Sequence, residues 1–153
     1  MNVKYSIRLA REDDLKGLQE LLLCNSLKPT IVINGKSLFY LAEADGARFI
    51  GCAGAEISGD AALIRSTAVL ASYRGKGIAK RLVDTLLQAL KEEGIQNLYL
   101  FSRSTGDFWE RLGFTPCRVH EVIGHLPDAP QVVAYLRDNS IWSDVAWCRS
   151  MGD

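Results

Sequence analysis

Residues Ile64 to Lys80 read IRSTAVLASYRGKGIAK, and within them Arg74-Gly75-Lys76-Gly77 has the residue types and spacing to do chemistry. Ahead of it lies a β-branched, apolar run that ends at Val69. Behind it, Ile78, Ala79, Leu82, Val83, Leu86 and Leu90 recur with a helical period. A glycine-bearing turn that closes a strand and opens a helix leaves several main-chain N–H groups unpaired and pointing one way, where the helix dipole adds positive potential. Such a turn is an anion cradle, and phosphate is its usual guest. The P-loop pattern is not met, because Gly77 is followed by Ile78 and Ala79, with no hydroxyl to hold a magnesium ion. A dinucleotide fingerprint would need a small residue where Lys80 stands, so that helix and strand could close together. The pattern that does match is R-x-x-G-x-A, through Arg74, Gly77 and Ala79. A plain polar turn with a glycine is the alternative for the loop taken by itself.

The flanking segments must hold this turn in place. Val3, Tyr5, Ile7 and Leu9 alternate with polar residues as in a half-buried strand. Glu12, Asp13 and Asp14 then suit a first helical turn, and Leu15, Leu18, Leu21 and Leu22 follow at helical spacing. Asn25 to Lys36 carries mixed signals and reads as a loop with room for a short helix. Phe39 to Ala44, Phe49 to Ile57 and Ala61 to Val69 are three strand-like runs separated by hairpin turns at Asp45-Gly46 and Ser58-Gly59-Asp60. The spacing predicts a helix from about Lys76 to Glu93, capped by Gly94, and then a buried strand at Leu98 to Phe101. Strand, crossover helix and strand make a parallel pair, and if the two strands part at their ends the gap can admit an extended ligand arm. Phe108, Trp109 and Leu112 share a short helix that stops at Gly113, and Phe114 starts a strand-like stretch to Val119. The tail holds Leu126 to Pro130, an amphipathic Val132 to Leu136 and a last strand at Val145 to Met151.

At 153 residues the chain is read as a single domain over 1–153, with 48% hydrophobic and 24% charged residues, as in soluble globular proteins. Its 18 basic and 18 acidic residues cancel, which removes the electrostatic case for nucleic acid or an anionic membrane as partner. No apolar run has the length of a membrane span and the first residues lack a signal-peptide core, so a cytoplasmic location is expected. Cys24, Cys52, Cys117 and Cys148 are widely spaced, with no C-x-x-C pair; reduced thiols are expected, and no metal.

The R-x-x-G-x-A loop resembles the coenzyme A pyrophosphate loop of the GNAT superfamily of N-acetyltransferases. Ser102 to Phe114, SRSTGDFWERLGF, resembles the second signature of that family, whose G-F follows a helix carrying an aromatic pair. The resemblance implies the GNAT fold, an α/β (α+β) arrangement in which a mixed, mostly antiparallel, splayed sheet is flanked by helices. It also implies acetyl-CoA as donor. In that pattern the backbone at Thr67, Ala68 and Val69 binds the pantetheine arm like an added strand, and the Val69 N–H faces the developing oxyanion. The amides of Gly75, Gly77, Ile78 and Ala79 hold the pyrophosphate, and Arg74 and Lys76 add charge. Ser104 and Phe108 complete the expected cofactor contacts.

The sequence departs from the family's commonest pattern at Trp109, which stands where a tyrosine usually serves as acid. Indole N–H does not titrate in water. Either the thiolate leaves unassisted, being a good leaving group with a pKa near about 8.5, or Ser104, Thr105 or a water supplies the proton. For Phe108 and Trp109 alike, core packing is the simpler role. The S-T-G-D-F-W-E-R-L-G-F segment looks like two GNAT branches that acetylate amino-acid-like substrates, N-acetylglutamate synthases and small acetyltransferases found with arsenic-resistance genes, and the Leu63-Ile64-Arg65-Ser66 strand with Glu56 near the end of the preceding strand resembles the second of these. On that resemblance Arg65 would grip the acceptor's acid group bidentately, and Glu56 would receive its ammonium and take its proton. A solvated strand residue is the plain alternative for Arg65, as a surface residue near the turn is for Glu56.

The expectation is therefore an acetyl-CoA-dependent N-acetyltransferase acting by direct attack on the thioester, with the α-amino group of an amino acid or analogue as acceptor. Three alternatives stay open: transfer to another small amine or a protein amine, a coenzyme A binding module without turnover, and a dinucleotide-binding fragment. A homodimer through the last strands is also compatible with the sequence.

Overall fold

Among the described residues, seven strands form one sheet in the order β1-β2-β3-β4-β5-β7-β6. The structure, a computed structural model, describes residues 3–46, 48–102, 106–142 and 144–152. Two compact units divide the chain, Met1–Ala55 with Ser66–Ala89 and Glu56–Arg65 with Leu90–Asp153.

In the first unit, β1 (Tyr5–Leu9) runs antiparallel to β2 (Ser37–Ala44), with Tyr5 opposite Ala44 and Leu9 opposite Tyr40. Between them come a 3-10 turn at Glu12–Asp14 and helix α1 (Leu15–Cys24). The predicted acidic first turn is tied down by Arg8, whose two terminal nitrogens each reach one Asp14 oxygen at 2.9 Å while its Nε donates to Glu43 at 3.2 Å. Asp14 also accepts the Arg11 N–H at 2.8 Å. The Arg8 guanidinium lowers the Asp14 carboxyl from 3.8 to about 2. Leu18, Leu21 and Leu22 present one face of α1 and bury it against Phe39, Leu41, Cys52 and Ala68.

The next strands are β3 (Arg48–Ser58) and β4 (Ala61–Val69), joined by the two residues Gly59 and Asp60. Helix α2 (Ile78–Glu92) follows. Gly51 on β3 lets α2 come close, since a Cβ there would meet Leu82 Cδ1 at 3.0 Å and the Ala68 carbonyl oxygen at 3.1 Å.

In the second unit the start of β4 pairs with β5 (Asn97–Ser102) in parallel, from Ala61 opposite Asn97 to Ile64 opposite Leu100. Strand β7 (Val145–Ser150) lies antiparallel along the whole of β5 and separates it from β6 (Thr115–Cys117). Leu98, Tyr99 and Leu100 are buried, as a continuous apolar strand requires. Helix α3 (Gly106–Arg111) precedes β6, and helices α4 (Val119–His125) and α5 (Pro130–Arg137) follow it. Val122, Leu126, Ala129, Val132 and Ile141 pack on Ala61, Leu63, Tyr99 and Ala146.

Two expectations change. Residues Phe114 to Val119 yield only the three-residue β6, and Val119 opens a helix instead of ending a strand. The reason lies in spacing: Val122 and Leu126 are fully buried while Gly124 between them is exposed, which a helical period allows and the two-residue period of a strand does not. Asn25 to Lys36 contains no helix, and in that stretch Ile31 alone is buried.

Candidate active site

The chain leaves β4 at Val69, makes a 3-10 turn at Ala71–Tyr73, passes Arg74 to Gly77 and enters α2. Hydrogen bonds fix both ends of this passage. The Leu70 N–H donates to the Ile50 carbonyl at 2.8 Å, Tyr73 to Leu70 at 2.8 Å and Arg74 to Ala71 at 3.3 Å, while the Arg81 N–H reaches the Gly77 carbonyl at 3.1 Å. Between these anchors, among the described residues, the amides of Gly75, Lys76, Gly77, Ile78 and Ala79 have no recorded protein acceptor. Gly75 and Gly77 both sit at φ 78°, a left-handed conformation that costs a side-chain-bearing residue about 1–2 kcal/mol. Ile78 is buried and pins the first turn of α2, whereas Gly75, Lys76 and Gly77 are exposed. A row of amides at a helix N-terminus, backed by its dipole, is built to receive an anion.

Arg74 braces this loop. Its Nε donates to the Val69 carbonyl at 2.9 Å and its Nη2 to Asn25 Oδ1 at 2.6 Å; Asn25 in turn donates from Nδ2 to the Leu21 carbonyl at 2.9 Å. The arginine expected to add charge thus also ties the end of β4 to the end of α1. Asn25 was not singled out in the sequence. Its signal was an asparagine directly after Cys24, at the end of a leucine-rich helical run, a common stop position.

Backbone direction along β4 is set by its partner. Because Leu70 bonds toward β3, strand alternation aims the Val69 N–H at the opposite edge. On that edge the parallel register with β5 runs only to Ile64 opposite Leu100, while β4 continues to Val69. At Ser66 the backbone turns left-handed with φ 57°, a bulge-like conformation inside a strand. The Cys52 thiol donates to the Ser66 carbonyl at 3.1 Å. The next residue, Thr67, has a buried hydroxyl oxygen without a hydrogen-bond partner among the described residues, an orphan of the kind a bound ligand satisfies.

Glu56 and Arg65 are brought together. Arg65 Nη1 donates to Glu56 Oε2 at 2.8 Å, and the two side chains are only 4% and 3% exposed. The other oxygen, Oε1, accepts the Gln131 N–H at 2.9 Å. Pro130 occupies the first position of α5, so the carboxylate sits at a helix N-terminus as well as on a guanidinium. Arg65 is thus not the solvated strand residue, nor Glu56 the surface residue near the turn, that were their plain alternatives. Gln131 was not anticipated, although a proline opening a helix signals a free N–H on the residue after it.

Trp109 is packed rather than poised: its ring meets Phe108 edge-on at 4.9 Å and Phe114 at 5.5 Å. Phe108, expected as a cofactor contact, lies against that indole. Ser104 and Thr105 fall outside the described residues. All four cysteines are free thiols. Burial and the neighbouring Cys148 thiol push Cys117 up to about 12, the opposite of what a nucleophile needs.

A family profile described as "Acetyltransferase (GNAT) domain" matches residues 35–116, which include β2 to β5 and the amide row. The chain belongs to this family. An uncharacterized N-acetyltransferase of Chlorobaculum tepidum is 36% identical over 76 residues, which is 50% of this chain and 48% of that protein. The chain therefore spans about half the length of the curated relative it matches. Among solved structures, N-acetylglutamate synthase from Neisseria gonorrhoeae, complexed with coenzyme A and N-acetyl-glutamate, superposes with TM-score 0.75 at 20% identity, over 100% of this chain and 36% of that one. The ribosomal-protein-S18-alanine N-acetyltransferase of Escherichia coli gives TM-score 0.71 at 14% identity, over 98% of this chain and 96% of that one. At these identities the likeness is one of fold. The GNAT chain carries that fold as a seven-stranded, mostly antiparallel sheet with flanking helices.

Proposed function

We propose that this chain is a cytoplasmic, acetyl-CoA-dependent N-acetyltransferase that transfers acetyl to a small primary amine, the α-amino group of an amino acid or amino-acid analogue in particular. The observation that carries the reading is the row of unspent amides from Gly75 to Ala79, directly after the strand whose Val69 N–H is directed away from β3. Those amides would hold the coenzyme's pyrophosphate, with Arg74 and Lys76 adding charge. The backbone of Thr67, Ala68 and Val69 would run beside the pantetheine arm, and the orphaned Thr67 hydroxyl gives that segment a polar group in need of a partner.

In the reaction the neutral amine attacks the thioester carbonyl and a C–N bond forms. The carbonyl oxygen takes negative charge that the Val69 N–H stabilises; such a donor is worth roughly 3 kcal/mol. The C–S bond then breaks, the thiolate leaves as a good leaving group, and the ammonium proton passes to the acid–base couple or to water. The role falls to Glu56 and Arg65 as a pair. A zwitterion matches an ion pair in kind, so its ammonium is complementary to Glu56 and its acid group to Arg65. The fold neighbour described with N-acetyl-glutamate supports this acceptor class. The Escherichia coli neighbour, which acts on a ribosomal-protein alanine, keeps a protein N-terminus as the second reading, because its fold likeness is nearly as high. A homodimer through the edge strand β6 and β7 completes the proposal.

Thiol release from acetyl-CoA over a panel of free amino acids and N-terminal peptides tests the reading. Turnover with an amino acid, and a raised acceptor KM in Arg65→Gln with the acetyl-CoA KM unchanged, is the expected result. Coenzyme A binding without thiol release under any acceptor would demote the chain to a binding module. An unchanged acceptor KM would favour a different amine.

A further inference from the structure

Away from the residues assigned to acetyl transfer, Cys117 on β6, Glu121 on α4 and Cys148 on β7 form a cluster whose ligand atoms, two sulfurs and a carboxylate oxygen, all lie within 4.8 Å of one another. The sequence, with these residues scattered, offers no metal-binding spacing. The fold assembles them in three steps. Cys117 stands opposite Ala146, so Cys148, two residues along β7, points to the same face of the sheet. The chain then passes from Cys117 through Arg118 straight into α4, whose first turn carries Glu121. Both thiols are half-buried, and the carboxylate stands at the exposed rim.

We propose that Cys117, Cys148 and Glu121 form a binding site for a thiophilic divalent cation of the zinc or cadmium type. A disulfide is the obvious rival for two neighbouring thiols, and the strand geometry argues against it. Diagonal neighbours on adjacent strands have Cα atoms roughly 7–8 Å apart, beyond the usual span of about 4.4–6.8 Å for a bridge. A tetrahedral ion asks for less. With metal–sulfur bonds of about 2.3 Å its two sulfurs stand about 3.8 Å apart, so the cluster needs to contract by about 1 Å at most. Two soft sulfurs select such ions over magnesium and calcium, which prefer all-oxygen shells. Binding exchanges the two thiol protons for the cation, and Glu121 completes a three-ligand set whose outer side stays open to water. Since the ligands come from β6, α4 and β7, an ion there clips the edge strand and the following helix to the strand between β5 and β6.

The reduced protein carrying Cys24→Ser, which removes the exposed thiol, is titrated with cadmium while thiolate-to-metal charge-transfer absorption is followed, and zinc is then used as competitor. A single saturating equivalent that zinc displaces is expected, with a raised thermal midpoint in zinc and none in magnesium. Cys148→Ser should abolish the band. Glu121→Gln, an exposed change that leaves the core intact, should weaken binding about tenfold. In a second measurement, zinc should protect Cys117 and Cys148 together from alkylation, read by peptide mass. Absence of a saturable band, an unaltered band in Cys148→Ser, or equal alkylation with and without zinc would each overturn the proposal.

Discussion

Replacing Arg65 by Met leaves the Glu56 carboxylate, 3% exposed, without its guanidinium partner at 2.8 Å and, among the described residues, with the Gln131 N–H to answer it. Removing one member of a buried pair costs about 3–5 kcal/mol, because the surviving charge stays desolvated. In a domain of this size each kcal/mol moves the midpoint by about 2–4 °C, so the expected fall is on the order of 10 °C. Glu56→Gln should cost about 3 kcal/mol as well, because its single amide oxygen can replace the acceptor of Gln131 or of Arg65 but not both, its NH2 group then faces the other donor, and the buried guanidinium loses its charged partner. The double variant Glu56→Gln/Arg65→Met removes both charges together and should recover much of the loss, giving a coupling energy of about 2 kcal/mol or more in the cycle. Urea unfolding of the four proteins, followed by circular dichroism, measures each corner. Singles that each cost under about 0.5 kcal/mol and simply add would refute the reasoning. They would mean that the pair is solvated and holds nothing together.

Three further perturbations probe the loop, the bulge and the N-terminal ion pair. Gly77→Ala, at φ 78°, should lose about 1 kcal/mol of stability and weaken coenzyme A binding by calorimetry, since the methyl group opposes the backbone turn that aims the amides; equal affinity would detach the loop from the ligand. Ser66→Gly should be neutral or gain up to about 1 kcal/mol, and Ser66→Val should lose about 1–2 kcal/mol, because φ 57° suits glycine and opposes a β-branched residue; the reverse order in urea midpoints would deny the bulge. Asp14, held at about 2 by Arg8, contributes stability above its unfolded pKa of 3.8 and loses that contribution as pH falls from about 4 toward 2. Arg8→Gln should flatten the acid limb of the stability–pH curve by about 1 kcal/mol, a partly exposed partner being screened; an unaltered limb would remove the pair from the account.

What the sequence by itself determined is whatever depends on neighbours along the chain. Two glycines and an arginine between a β-branched run and a helical repeat suffice to specify a strand, a left-handed turn and a helix start, and the structure has all three, with β4 ending at Val69 as read. The hairpin at Gly59-Asp60 and the buried strand after Gly94 are equally local. Tertiary structure decided the remainder. Nothing in Val145 to Ser150 states that this last strand will enter between β5 and β6, because strand order depends on which edge is open when the earlier strands are in place. Helix α4 was hidden because its β-branched residues resemble a strand until burial of Val122 and Leu126, with Gly124 between them exposed, selects the helical period. Arg65 and Glu56 read as two separate tools for a ligand; the two-residue turn between their strands made them diagonal neighbours on one face, and burial joined them into one ion pair, the form in which the proposed function uses them. Cys117 and Cys148, thirty-one positions apart by subtraction of their numbers, meet only because β6 lies beside β7. Charges and thiols interact through space, and the distances that govern them exist only once the strands are paired.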